Sequence, residues 1–228
     1  GDHRELHSFP TRRSSDLVQP TEDIGVYGGI LRGAATTPTD EGWDVATIRE
    51  QKFFSYLPDL ATVYPNIVKS GEFANDNKTL IITLRAGMRW SDGDYVTADD
   101  IIFWYEDMYN NKELNPIPQA FWVVGGQPVV VAKVDEYTAR FDFVLPSPTI
   151  TTKIAMSYTG NDPIAPSHYL KQFHIKYNPA ANDLAKKEGY KSWVELFQDK
   201  STRASGGQKQ VNIDLPVLNP WVWVSTDN

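Results

Sequence analysis

The residues best placed to do chemistry are carboxylates. Asp92, Asp94, Asp99 and Asp100 cluster closely, and Glu106 and Asp107 follow soon after. Paired acids could serve a glycosidase, where two carboxyl groups flank the scissile bond and one is held protonated. They could also build a cation loop, but Asp92-x-Asp94 lacks the later Gly and Glu spacing of an EF-hand. Asp99 and Asp100 read more simply as negative charge at the positive end of a helix. Histidine is sparse. Beyond the N-terminal stretch only His168 and His174 remain, at a spacing that fits neither H-E-x-x-H nor an i, i+4 metal pair. Surface or capping roles are expected for both. No G-x-S-x-G elbow occurs. No Gly-rich phosphate loop occurs either. With no cysteine, a thiol nucleophile, a disulfide and a thiolate metal site are excluded. Neither catalysis nor a metal or cofactor is expected.

The stretch that must position such residues is Leu80 to Met108. Leu80, Ile82 and Leu84 alternate with Ile81, Thr83 and Arg85, the period-2 pattern of a strand. Gly87 interrupts it, as a residue able to take positive φ. Asp92-Gly93 signals a turn of the primed hairpin type. Thr97 reads as a helix N-cap, its hydroxyl accepting from the Asp100 N–H. Ile101, Trp104, Tyr105 and Met108 then fall at i, i+3, i+4, i+7, a single apolar stripe.

The order LRAGMRWSDGDYVTADDIIFWYEDM resembles the signature region of extracellular solute-binding protein family 5, the periplasmic proteins of peptide-type ABC importers. Arg85, Gly87, Trp90, Asp92, Gly93, Thr97, Ala98, Asp99, Asp100 and Ile101 carry the match. Further along, KVDEYTARFDFVLPSP resembles a hairpin of the same family. Near the start, GGILRG resembles its first strand, and LPDLA and PVLNPWVWV resemble later segments.

Composition agrees with a globular chain. Its 228 residues are 41% hydrophobic and 12% aromatic, with a net charge of −7. The acidic balance argues against nucleic acid as a partner. The sequence holds no run of about 18 apolar residues, the length a helix needs to span a bilayer. Residues 1–17 have no periodicity and look like the translation of a sequencing adapter, so they are excluded from the fold. Asp44 to Tyr56 reads as a helix or extended connection. Pro65 counts against a regular strand at Thr62 to Gly71, and Asn75 to Lys78 is a turn. Gly125 to Pro128 is another turn, preceding a hairpin in which Phe141, Phe143 and Leu145 share a face. Pro146-Ser147-Pro148 marks a boundary, followed by a short mixed segment at Ile150 to Met156. Helices are expected at Pro166 to Phe173, at Asn182 to Glu188 ended by Gly189, and from a Ser192–Glu195 capping box. Ser201 to Gln210 reads as a linker and Leu218 to Val224 as a closing strand.

The resemblance implies an α/β fold of the periplasmic binding protein type II kind, two-lobed, with only the first lobe and its inserted subdomain represented. The implied domains are 18–48 with 146–228 as the first lobe, and 49–145 as the inserted subdomain. About two-fifths of a family member would be covered, and the chain alone would expose unpaired sheet edges. Ala35, Thr36, Thr37 and Pro38 correspond to a segment lining the ligand cleft, where hydroxyls suit a polar ligand. Tyr158, Asn219 and Trp221 lie in segments that the resemblance assigns to the cleft-forming lobe. Aromatics there bury area at low entropic cost. The implied role is capture of peptides or similar small solutes, without catalysis. The implied partners are the ligand and the membrane permease subunits of an importer, the complete protein being a monomer. The location would be periplasmic or extracellular, with or without a lipid anchor. The rival readings are a hydrolase or carbohydrate-active domain, and a sensory or chaperone domain of the same fold.

Overall fold

The computed structural model describes residues 51–156, 163–202 and 212–219. Outside these lie the N-terminal stretch, the Tyr27–Gly33 segment, Ala35 to Pro38, Tyr158, most of the Ser201–Gln210 segment and Trp221 with its neighbours.

Alternation of apolar residues builds the main sheet. Its four antiparallel strands run β3 (Val68–Ala74), β4 (Thr79–Leu84), β8 (Thr138–Asp142) and β7 (Val130–Lys133) in spatial order. β4 is central, pairing Leu80 with Phe73 on one side and with Phe141 on the other. Leu80, Ile82 and Leu84 all point into the core, as their period requires. Asn75, Asp76 and Asn77 close the β3–β4 loop with φ of 51°, 51° and 60°. Asn and Asp tolerate this left-handed region better than other side chains. β8 buries Ala139 and Phe141, and Phe143 just past its end. Leu145 does not join that face. The chain bends at Val144–Leu145 before Pro146, so Leu145 turns outward, over Gly125.

A two-stranded ribbon pairs β1 (Phe54–Tyr56) with β2 (Val63–Pro65). Pro65 is tolerated because it ends a short edge strand, where a missing donor costs little. Helix α2 (Ile150–Met156) replaces the expected mixed segment and packs on this ribbon. Its buried residues Ile150 and Ile154 are one helical turn apart. A second hairpin joins β5 (Val123–Val124) to β6 (Gln127–Pro128) through Gly125 and Gly126. Both glycines have positive φ, 60° and 76°, as a type I′ turn demands.

The remaining elements are helical. Helix α1 (Ala98–Phe103) runs directly into a π-helical turn, Trp104–Tyr109. Then come α3 (Ser167–Leu170), α4 (Ala181–Lys187) and α5 (Trp193–Ser201). Gly189 follows α4 at φ 90°. Ser192 accepts from Glu195 N–H at 3.4 Å, while the Glu195 carboxylate reaches back to Lys191 N–H at 2.9 Å. Trp193, Leu196 and Phe197 form the buried side of α5.

One glycine is required by packing. A Cβ on Gly71 would lie 2.4 Å from the ring of Phe54. Gly71→Ala is expected to lower the unfolding free energy by about 1–3 kcal/mol, measured by urea denaturation. In a Phe54→Leu background the penalty should shrink. Equal penalties in both backgrounds would show that this contact is not the cause.

Candidate functional site

The capped start of α1 is the anchor. Thr97 Oγ1 accepts from Asp99 N–H at 3.3 Å, and Asp100 Oδ2 accepts from Thr97 N–H at 3.2 Å, which makes a reciprocal capping box. The Asp100 carboxylate does more than cap. It also accepts from the indole Nε1 of Trp90 at 3.1 Å and from Ser167 N–H at 3.0 Å. Its residue is only 3% exposed. Asp99, by contrast, faces solvent and pairs with Lys133 at 2.7 Å, an exposed bridge of little energetic weight.

Trp90 begins the turn. Gly93 N–H donates to Trp90 O at 2.9 Å, and Trp90 N–H to Asp94 O at 2.9 Å. The loop is therefore three residues long, Ser91 to Gly93, with only Gly93 at positive φ, 97°. The expected two-residue primed turn is corrected to the turn-plus-bulge form, in which a glycine absorbs the left-handed position.

Ser91 binds the tail of the chain. Its N–H donates to Val217 O at 3.0 Å, and its Oγ accepts from Val217 N–H at 3.0 Å. Leu215 and Val217 are buried beside it. Leu218 and Asn219 continue half-buried without regular secondary structure, so the described start of the expected closing strand is not a strand. Of the predicted ligand-contacting residues Asn219 alone is described, two positions beyond this clamp.

His168 completes the corner. Its Nε2 lies 2.7 Å from Asp92 Oδ2. Partial burial works against ionisation of Asp92, but the His168 contact and the Asp94 N–H outweigh it and hold its carboxyl below the ordinary value. Ser91, Asp92 and His168 share a corner in an order unsuited to nucleophilic attack. The hydroxyl accepts from backbone, and the imidazole faces carboxylates.

A second buried carboxylate sits in the π-helical turn. Asp107 accepts from Lys176 Nζ at 2.7 Å and from Tyr177 OH at 2.6 Å. The Lys176 ammonium is held protonated to higher pH by that bond. Burial, then the same carboxylate, raises Tyr177. The i→i+5 bond from Asn110 N–H to Tyr105 O, at 3.0 Å, shifts the register of the predicted stripe. Ile101 and Trp104 remain buried, but Asp107 and Tyr109 are buried where Tyr105 and Met108 are only partly so.

His174 is a core residue, which corrects its expected surface or capping role. It is 2% exposed, edge-on to Trp193 at 4.7 Å and to Phe197 at 5.3 Å. Nδ1 accepts from Lys176 N–H at 3.2 Å, leaving Nε2–H to donate to Asp107 O at 3.2 Å. That is the neutral imidazole. Burial lowers its pKa, against a smaller opposing pull from the Asp107 carbonyl.

Among the described residues no group of three or more His, Cys, Asp or Glu could hold a metal ion. Among them, too, no helix is long and apolar enough to cross a membrane.

The mixed sheet and helix body matches that of solved type II periplasmic binding proteins. Residues 62–194, more than half the chain, match the family described as bacterial extracellular solute-binding proteins, family 5 Middle, and the chain belongs to that family. It superposes on an oligopeptide-binding protein, OppA, with a TM-score of 0.75 and 34% identity, over 92% of this chain and 31% of that one. It shares its fold with the stachyose-bound binding protein MelB from Agrobacterium fabrum C58, at a TM-score of 0.56 and 24% identity, over 81% of this chain and 26% of that one. A curated relative, the periplasmic alpha-galactoside-binding protein of Rhizobium meliloti, is 30% identical over 68% of this chain. The chain spans 24% of that relative's length, less than the two-fifths expected of a family member.

Two predictions follow from the buried polar groups. Asp100→Ala leaves two buried N–H donors, Trp90 Nε1 and Ser167 N–H, and the part-buried Thr97 N–H without this acceptor, each buried one worth about 1–3 kcal/mol. It should cost about 3–5 kcal/mol in urea denaturation, with Asp99→Ala close to neutral. A neutral Asp100→Ala would remove Asp100 from its anchoring role. The second concerns pH. The folded pKa of His174 lies below the ordinary 6.5, so the unfolded chain takes up the proton first. Its contribution to stability is complete above that value and falls as pH drops from it toward the lower folded pKa. Melting temperature should decline on that side more steeply in the parent than in His174→Gln. Parallel profiles would contradict the assignment.

Proposed function

We propose that the chain is part of the substrate-capturing component of an ABC importer, gripping peptides or similar small solutes without altering them. The observation that carries this reading is the family match over residues 62–194. The likeness to OppA at 34% identity favours peptides. In this reading 18–48 and 146–228 belong to the first lobe and 49–145 form the inserted subdomain. Ala35, Thr36, Thr37, Pro38, Tyr158, Asn219 and Trp221 line the cleft. The bonds between Ser91 and Val217 support this for Asn219, because they set the direction in which the segment leaves the body. Closure of two lobes about a hinge would enclose the solute. Membrane permease subunits would receive it. The work would be done in the periplasm or at the outer surface of the cell.

A second reading replaces the peptide with an oligosaccharide, favoured by the alpha-galactoside-binding relative at 30% identity. Calorimetric titration with tri- to pentapeptides and with α-galactosides separates the two. Saturable heat from peptides alone is the expected result, and from galactosides alone it would select the second reading. Trp221→Ala should weaken whichever solute binds by about tenfold or more, as loss of a buried aromatic anchor does. Binding of neither class, or an unchanged affinity in Trp221→Ala, would overturn the proposed cleft.

A further inference from the structure

The chain holds a single Asp-Gly dipeptide, Asp92–Gly93, and no Asn-Gly. That link is chemically fragile. The Gly93 nitrogen can attack Asp92 Cγ, forming a C–N bond while a carboxyl oxygen leaves as water. A five-membered succinimide results. Water then adds back and opens the ring at either carbonyl. Opening at Cγ restores aspartate. Opening at the main-chain carbonyl gives isoaspartate, with the backbone running through Cβ and Cγ. Overall no atoms are gained or lost. Glycine favours the attack because it has no side chain to obstruct the approach. Water has access, since the Asp92 side chain is 42% exposed.

Two features of the corner oppose the reaction. The first is the state of the carboxyl. The neutral acid loses water readily, whereas a carboxylate has no leaving group. Partial burial favours the neutral acid, but the His168 bond and the Asp94 N–H, at 3.2 Å, outweigh it and keep Asp92 ionised to lower pH. The second is the fixed peptide. Ring closure requires the Asp92–Gly93 peptide to turn toward the side chain. Gly93 N–H is held by Trp90 O at 2.9 Å. Gly93 O accepts from the Arg89 guanidinium, itself stacked 3.8 Å above the Tyr95 ring. The carboxylate is held in turn by His168, from α3, 76 positions along the chain.

We infer that Asp92–Gly93 is a latent isomerisation site, and that His168, by gripping the Asp92 carboxylate, keeps it intact. The inference does not rest on the importer reading. Conversion would lengthen by one carbon the main chain of a three-residue loop, beside the Ser91 that holds Val217.

The test incubates the 228-residue protein, two His168 variants and a free peptide of residues 89–96 side by side at neutral pH. Isoaspartate at position 92 is followed by peptide mapping and mass spectrometry. His168→Ala removes the grip. His168→Phe removes it too but keeps a ring beside Trp90, which guards against a variant that fails to fold. Amide protection of Ile82 and Leu84 reports whether each variant is folded. The parent should convert more slowly than the peptide by about tenfold or more, and the folded variants faster than the parent by about tenfold, the weight of one hydrogen bond to a charged group. A parent that converts as fast as the peptide would overturn the inference. So would folded variants that convert no faster than the parent, since the turn alone would then protect the link.

Discussion

Everything near the tail depends on one buried carboxylate. Asp100 could not remain in the interior without donors, since an unpaired charge there is prohibitively costly. It is surrounded by three: Trp90 Nε1, Thr97 N–H and Ser167 N–H. These come from a turn, a helix cap and the start of a second helix, so satisfying one group places three elements. The turn then presents Ser91, Ser91 holds Val217, and Val217 aims the segment that carries Asn219. Each step is short and directional. The exposed pair of Asp99 with Lys133 shares the same helical turn but has no comparable consequence.

Asp107 repeats the device one helical segment later. Asp100 holds Ser167, and its own carbonyl accepts from Ala165 N–H at 3.3 Å. Asp107 holds Lys176 and Tyr177. The stretch from Ile164 to Tyr177 is thus fastened to the α1–π segment at both ends. Phe103 fills the space between, against His174 and Tyr177.

Local chemistry was legible in the sequence because its causes are local. Leu80, Ile82 and Leu84 declare a strand by alternation. Thr97, Gly87, Gly189 and Ser192 declare caps and turns by what their own side chains, or lack of one, can do. The failures share a different cause. Asp100 reads as a helix-start charge, and nothing within a few residues reveals Ser167 as a partner, 67 positions away. His174 reads as polar because the rings that enclose it, Trp193 and Phe197, come later in the chain. The π-helical turn defeats a 3.6-residue stripe, and Leu145 fails because its strand ends at Asp142. The proposed cleft residues were reached through family likeness, not periodicity. Only Asn219 among them has a described position.

Amide hydrogen exchange at Ser91 and Val217 tests the chain of contacts most directly. In Asp100→Asn, which keeps the shape but disturbs the acceptors, both amides should exchange faster than in the parent. Ile82 and Leu84, in the central strand, should keep their protection. If Ser91 and Val217 exchanged at the parent's rate while Trp90 and Ser167 were released, the tail would be held by something other than this carboxylate, and the account would fail.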